Sequence, residues 1–210
     1  MAWYDTFANF YDRSLEKTYL PFRKRSFTHL ELGSGGHVLD LACGTGQNLP
    51  HLAPRVGPSG RVFAVDLSAG MLAKAAARAE AQGWTWVETL ETDVTALTRE
   101  DLEARGAPAQ GLDAVICTLG LSVVPDFVSV LEASLELLRP GGEYLVMDVF
   151  AQRWNPMKPM VEMLARADIT RDIAGALEAR TQGFRREPFE DASPWTFGGT
   201  LFVASGRRPA

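Results

Sequence analysis

Three aspartates stand at near-equal intervals in the first half of the chain: Asp40, then Asp66 26 residues on, then Asp93 after a further 27. Between the first two lies Cys43-Gly44-Thr45-Gly46, whose glycines let backbone come close to a ligand. Asp66 closes the apolar run RVFAVD and Asp93 closes WTWVETLETD. An acid at the carboxyl end of a second parallel strand can accept hydrogen bonds from both ribose hydroxyls of a nucleoside lying across the sheet. Alone, each acid could equally cap the next turn; together, and after a glycine turn, they point to a nucleoside ligand. A dinucleotide is disfavoured, because Leu49 occupies the place of the third glycine of GxGxxG, the one that lets the helix pack closely. Neither a GxxxxGK[ST] loop nor a GxSxG elbow occurs. His29, His37 and His51 fall on different elements and match no metal-ligand spacing, so no metal site is expected.

These residues need strands and helices to position them. VLDLACGTGQNLP, residues 38–50, reads as strand, tight turn and helix start. After it come RVFAVD, the Ala-rich SAGMLAKAAARAEAQG, WTWVETLETD, TREDLEARG, GLDAVICTLG, DFVSVLEASLELLRPGG and EYLVMDVF. Apolar strands alternating with amphipathic helices predict a doubly wound, mostly parallel α/β sheet. Ser68 and Asp126 are placed to cap helices, and Gly141-Gly142 returns the chain to the sheet. The end differs: residues 157–182 read as one or two helices, then FRREPFE and TFGGTLFVASGR as strands with no crossover helix between them. Such a pair must be antiparallel, so a seven-stranded sheet with an antiparallel C-terminal edge hairpin is expected. Residues 3–32 read as two helices, with Pro21 expected to kink or break the second, and Gly33-Ser34-Gly35-Gly36 as a flexible linker. The expected organisation is one domain: N-terminal lid helices over 1–36, a ligand-binding domain over 37–210, and a substrate-side helical insert over 151–182.

At 210 residues the chain suits one sizeable core. The composition, 46% hydrophobic and 22% charged, excludes disorder and fibrous repeats. A net charge of −5 argues against nucleic-acid partners, which need a basic surface. Two cysteines, Cys43 and Cys117, suggest no disulfide framework. The start MAWYDTFANFYD lacks the basic-then-apolar layout of a signal peptide, and no apolar run approaches the length of a membrane span. A cytoplasmic protein is expected.

VLDLACGTG, VDLSAGML, ETDV and LLRPGG, in this order and spacing, resemble the class I S-adenosylmethionine-dependent methyltransferase family over residues 37 to about 149. The family commonly has glycine where Ala42 stands, and the Ala variant is also familiar in it. The resemblance implies S-adenosylmethionine as cofactor, with Ala42, Cys43, Gly44 and Gly46 skirting its methionine part and Asp40 orienting its amino group. It implies Asp66 on the ribose, Leu67 and Met71 beside the adenine, Asp93 and Val94 at the adenine amino group, and Cys117, Thr118 and Leu119 beside the methyl-bearing sulfur. For Leu67, Met71, Val94 and Leu119 the alternative is plain core packing. Because the sulfonium is already electrophilic, the protein supplies alignment more than chemistry. Asp148, at the end of the fifth strand, is the candidate general base, with a locally bonded strand end as the alternative.

The acceptor is less determined. FYDRSLEKTY is similar to the lid of bacterial phospholipid, quinone and small-molecule methyltransferases, which implies that Tyr11, and Tyr4 likewise, close over the cofactor; the alternative is that both pack the N-terminal helix onto the sheet. LGLSVVPD resembles a stretch of phosphatidylethanolamine N-methyltransferases, implying a small or lipid-like acceptor, a phospholipid amine among them, with a quinone-type molecule as the alternative. Arg13, Lys17, Arg23, Lys24 and Arg25, among aromatic residues, would suit an anionic membrane surface; a solvated charged face is the other reading. Trp154, Met157, Met160 and Met163 could line an acceptor pocket, with core packing as the alternative for Met160 and Met163 at their helical spacing. A nicotinamide-dependent oxidoreductase and a non-catalytic partner subunit with the same fold remain as alternatives from other classes, and the oligomeric state is left open.

Overall fold

Strand residues of this chain send alternate side chains to opposite faces, and both faces are apolar. The computed structural model describes residues 17–152 and 155–210. In β1 (His37–Leu41), Val38 joins one core while Leu39 and Leu41 join the other. In β2 (Arg61–Asp66), Val62 and Ala64 face the first, Phe63 and Val65 the second. The same alternation runs through β4 (Leu112–Thr118) and β5 (Leu138–Phe150). Strands buried on both sides need a helical layer on each face. Helices α1 (residues 17–26), α2 (Leu49–Val56) and α3 (Ala69–Ala81) cover one face. Helices α4 (Arg99–Glu103), α5 (Phe127–Glu136) and α7 (Ile173–Glu178) cover the other.

The sheet has seven strands in the order β3-β2-β1-β4-β5-β7-β6, with β3 at Val87–Glu91, β6 at Gln182–Pro188 and β7 at Thr200–Arg207. The first five are parallel, and β7 is antiparallel to both β5 and β6. The doubly wound sheet and its antiparallel C-terminal pair are as the sequence predicts, with the short helix α8 (Pro194–Phe197) between β6 and β7. The insert carries α6 (Lys158–Ala165) and α7. Ser68 and Asp126 cap their helices, accepting from the N–H groups of Met71 and Ser129 at 3.2 Å each.

Three local expectations fail for physical reasons. Residues 17–26 stay helical across Pro21, so the expected break does not occur; Pro21 is exposed, and water can satisfy the carbonyl that lacks its donor. Gly33–Gly36 is an ordered turn: Gly35 N–H donates to Val56 O at 2.8 Å, and Gly36 O accepts from Arg61 N–H at 3.0 Å. The alternating Trp84-Thr85-Trp86 is a turn rather than strand, held by Trp84 N–H on Ala79 O and by the Trp86 indole N–H on Ala53 O at 2.9 Å. Tyr4, Tyr11, Arg13 and Trp154 lie outside the described residues.

Candidate functional site

Strand order reverses between β1 and β4, and a crevice necessarily opens at the carboxyl ends of strands that diverge there. A cavity of about 760 Å³ occupies that place. Its left half is built from turns after β1, β2 and β3: Ala42–Thr45, Asp66–Ser68 and Asp93–Thr95, with Met71 of α3. Its right half uses Thr118 at the end of β4, Leu119, Gly120 and Ser122–Asp126 after it, Asp148 and Val149 near the end of β5, and residues of α6, α8 and the segment after α6. Tyr19 and Arg23 of α1 also line it.

The two glycines of the first turn have separate tasks. Gly44 has φ +56°, lines the cavity, and a Cβ there would meet nothing within 4 Å. Gly46, at φ +75°, is instead packed under α3, where a Cβ would stand 2.7 Å from Leu49 Cδ1 and 3.0 Å from Ala75 Cα. Gly46 thus admits the close packing of helix α3, the task that GxGxxG gives to its third glycine, and it is not among the residues that line the cavity. Ala42 and Leu119, which directly follow β1 and β4, are also left-handed, at φ 54° and 59°, a strained state for residues with a Cβ.

Asp66 holds this turn in place. One carboxylate oxygen accepts Gly44 N–H at 2.8 Å and the other accepts Ser68 N–H at 3.0 Å. Its pKa is nonetheless raised, because burial outweighs those bonds. Asp93 is exposed beside the cavity and caps Thr95, accepting its N–H at 2.9 Å and hydroxyl at 2.7 Å, which lowers its pKa. Leu67, Met71 and Val94 line the left half as expected, and Cys43 and Thr118 border it. Cys117 is placed elsewhere: it belongs to the core on the opposite face of the sheet, and burial pushes its thiol pKa up.

Beneath the reversal point lies a buried polar cluster that sequence reading did not find. Arg23, only 5% exposed, donates to Asn48 Oδ1, Thr118 Oγ1 and, at 3.1 Å, Gln47 Oε1. Asn48 in turn donates to Asp40 Oδ1 at 2.6 Å. Asp40 is fully buried, and burial raises its pKa to about 7 against the opposing pull of Asn48 and Arg23. Asp40 Oδ2 and Gln47 Nε2 have no hydrogen-bond partner among the described residues. Arg23 thus leaves the surface basic patch, and Arg25 is paired with Asp191 at 2.7 Å and stacked on Phe189. Lys17 and Lys24 remain exposed. The missed signal was helical spacing: Tyr19, Phe22, Arg23 and Ser26 share one buried face of α1.

On the right, Asp148 is 1% exposed and accepts N–H groups from Val149 at 2.8 Å and Ser122 at 3.3 Å. Burial raises its pKa to about 6. Around it the wall is apolar: Val123, Val149, Val161, Ala167 and Ile169. Arg171 fixes this wall by donating to the carbonyls of Leu121, Ser122 and Val124, and Ser122 O accepts Asp168 N–H at 2.8 Å. Met160 and Val161 of α6 line the cavity, whereas Met163 is 68% exposed.

Residues 38–142 match the family described as "Methyltransferase domain". A phosphatidylethanolamine N-methyltransferase of Cereibacter sphaeroides is 32% identical over 160 residues, 76% of this chain and 73% of that protein. A demethylmenaquinone methyltransferase of Bacillus cytotoxicus is 31% identical over 127 residues, 60% of this chain and 50% of the relative, so the chain spans about half the length of that protein. In fold, the chain matches the crystal structure of a SAM-dependent methyltransferase from Aquifex aeolicus with a TM-score of 0.59 at 18% identity, covering 89% of each chain. The left half fits S-adenosylmethionine on its own terms. Gly44 leaves space that a side chain would fill, Asp66 offers carboxylate oxygens at the second strand's end, and Gln47, which lines the cavity, has an amide Nε2 without a partner among the described residues. Matched over half its length and alike in strand arrangement, the chain belongs to the class I S-adenosylmethionine-dependent methyltransferases.

Proposed function

We propose that the acceptor is an apolar molecule carrying an amine, with a phospholipid amine as the first candidate. The observation that carries this reading is the right half of the cavity, an apolar wall around a single buried carboxylate, Asp148. When bound, the cofactor supplies a methyl group activated on a sulfonium. Asp148 would receive the proton that the acceptor nitrogen gives up on methylation. With a pKa of about 6 it is ionised at neutral pH and a stronger base than an exposed carboxylate. Val161, Ala167 and Ile169 take the apolar part of the acceptor and exclude water. The phosphatidylethanolamine N-methyltransferase relative supports this choice.

A quinone-type acceptor is the second reading, supported by the demethylmenaquinone methyltransferase relatives. In either case the acceptor resides in lipid, and we place the cavity mouth against a bilayer, with Trp195, 63% exposed on α8, and Lys17 and Lys24 of α1 as contacts. The test is methyl transfer by purified protein to phosphatidylethanolamine and to a demethylated naphthoquinol, each in anionic vesicles, with vesicle sedimentation alongside. Methylated phospholipid, lost in Asp148→Asn, is the expected result. Transfer to the quinol alone would replace the first reading with the second, and absence of sedimentation would remove the bilayer contact.

A further inference from the structure

One peptide group on the acceptor side of the cavity lies between two opposite charges. The peptide that joins Leu121 to Ser122 gives its N–H to Asp148 Oδ2 at 3.3 Å, and its carbonyl oxygen accepts from Arg171 Nη1 at 3.3 Å. In a planar peptide these two bonds point in opposite directions, so the dipole has its negative end on the guanidinium and its positive end on the carboxylate. Each bond polarises the other through the amide. The next peptide is held as well: Ser122 O accepts from Arg171 Nη1 at 3.1 Å and from Asp168 N–H at 2.8 Å. Val124 O is a third acceptor for the same nitrogen, and Asp168 Oδ2 stands 3.4 Å from Arg171 Nε. Arg171 itself lies behind the wall, outside the residues that line the cavity, whereas Ser122 and Asp148 both line it.

We propose that Arg171 is a positioning residue for methyl transfer, which holds the Asp148 carboxylate at the cavity through the Leu121–Ser122 peptide. Its role rests on the reading of Asp148 as the proton acceptor. The charged and titratable surroundings of Asp148 are few. Opposite it on β7 is Phe202, whose ring is covered by the Arg186 guanidinium of β6 at 4.9 Å. From β4 comes Cys117, whose thiol stays neutral because burial pushes its pKa up. Arg171, from the segment before α7, brings a permanent positive charge. Burial raises the Asp148 pKa to about 6, and the N–H groups of Val149 and Ser122 and then the charge of Arg171 oppose it. Without the guanidinium the peptide can turn its N–H away, and the carboxyl keeps its proton to higher pH. The intervening peptide also keeps the guanidinium off the carboxylate oxygens, each of which retains a lone pair for the acceptor's proton.

The experiment is an NMR titration of carboxyl carbons and amide protons in the full chain, with the Asp148 signal identified by its loss in Asp148→Asn. In the parent, the Ser122 amide proton should shift with the same midpoint as the Asp148 carboxyl, because it donates to that carboxylate. Arg171→Gln, which keeps an N–H donor and removes the charge, should raise the midpoint by roughly 0.5 to 1.5 pH units. Arg171→Lys, which keeps the charge, should raise it by less than about half as much. Calorimetry should find S-adenosylhomocysteine, the demethylated cofactor, bound by both variants within about 3-fold of the parent, since the cofactor half lies across the cavity. With phosphatidylethanolamine or the demethylated naphthoquinol in anionic vesicles, whichever the parent methylates, Arg171→Gln should lower kcat at neutral pH by roughly 3- to 10-fold and change KM less. The acid limb of its pH profile should move upward with the midpoint. A Ser122 amide that ignores the Asp148 titration, or a midpoint unmoved in folded Arg171→Gln, would overturn the proposal and leave the reading of Asp148 as a base untouched. A midpoint that moves as expected, with transfer unimpaired in both Arg171→Gln and Asp148→Asn, would remove Asp148 as the proton acceptor, and the part of Arg171 in the reaction with it.

Discussion

At the scale of the residue, two glycines separated by one threonine are asked for opposite things. Gly44→Ala places a methyl group in open cavity space and retains a left-handed backbone, so it should cost stability only about 1–2 kcal/mol while lowering S-adenosylhomocysteine affinity by roughly tenfold or more. Gly46→Ala drives a methyl group into Leu49 and Ala75 as well, and should cost roughly 2–5 kcal/mol in urea unfolding. Similar unfolding midpoints for the two variants would contradict this division. Asp148 makes a pH-dependent contribution whose sign follows from burial. Its folded pKa, about 6, lies above its unfolded value near 4, so its contribution is fully present below about pH 4 and is lost as pH rises through about 6. His51, held near 4 by burial and by Arg23, Lys24 and Arg55, acts in the opposite sense over the same range. The difference between parent and Asp148→Asn isolates the first effect: the variant's relative stability should rise between pH 4 and 6 and level off above. A difference that stays flat across this range would show that Asp148 titrates as an ordinary carboxylate.

At the scale of the element, α1 shows how a charged segment becomes part of an interior. Its apolar ties are aromatic: Phe22 lies 5.3 Å from the Phe189 ring and 5.7 Å from that of Phe197, and is 8% exposed. Its visible charge tie, Arg25 to Asp191, joins two side chains that are 44% and 62% exposed. Burial should dominate. Phe22→Ala is expected to cost roughly 3–5 kcal/mol and Asp191→Ala less than about 1 kcal/mol, both read from urea midpoints. A larger loss from Asp191→Ala would mean that the charge holds the helix. The elements on the acceptor side depend on loop contacts of the same precision, since Arg171 fixes the turn after β4 through three carbonyls and thereby sets the wall near Asp148. Among the described residues, no helix is long and apolar enough to cross a membrane.

At the scale of the whole molecule, the sequence by itself determined the strands, the mostly parallel winding with its antiparallel C-terminal pair, and the strand-end turns that line the left half of the cavity. Periodicity reports which residues must be buried, and strand-end residues such as Ala42, Asp66, Leu67 and Val94 follow their strands wherever these go. Ser68 and Asp126 were legible for the same reason, because a helix cap is a contact three residues long. The ordered Gly33–Gly36 turn and the helical passage through Pro21 were not, since each depends on what is packed or exposed around it. Tertiary structure alone decided that Arg23, in a run of basic residues, enters the interior, that Gly46 packs under α3, and that Cys117 turns to the far core. Arg23 meets Asn48 and Thr118 across separations of 25 and 95 residues. Side-chain type and local spacing cannot encode such a meeting; it arises when the sheet closes and three distant elements share one buried volume, where each polar group must find a partner or leave a place for a ligand.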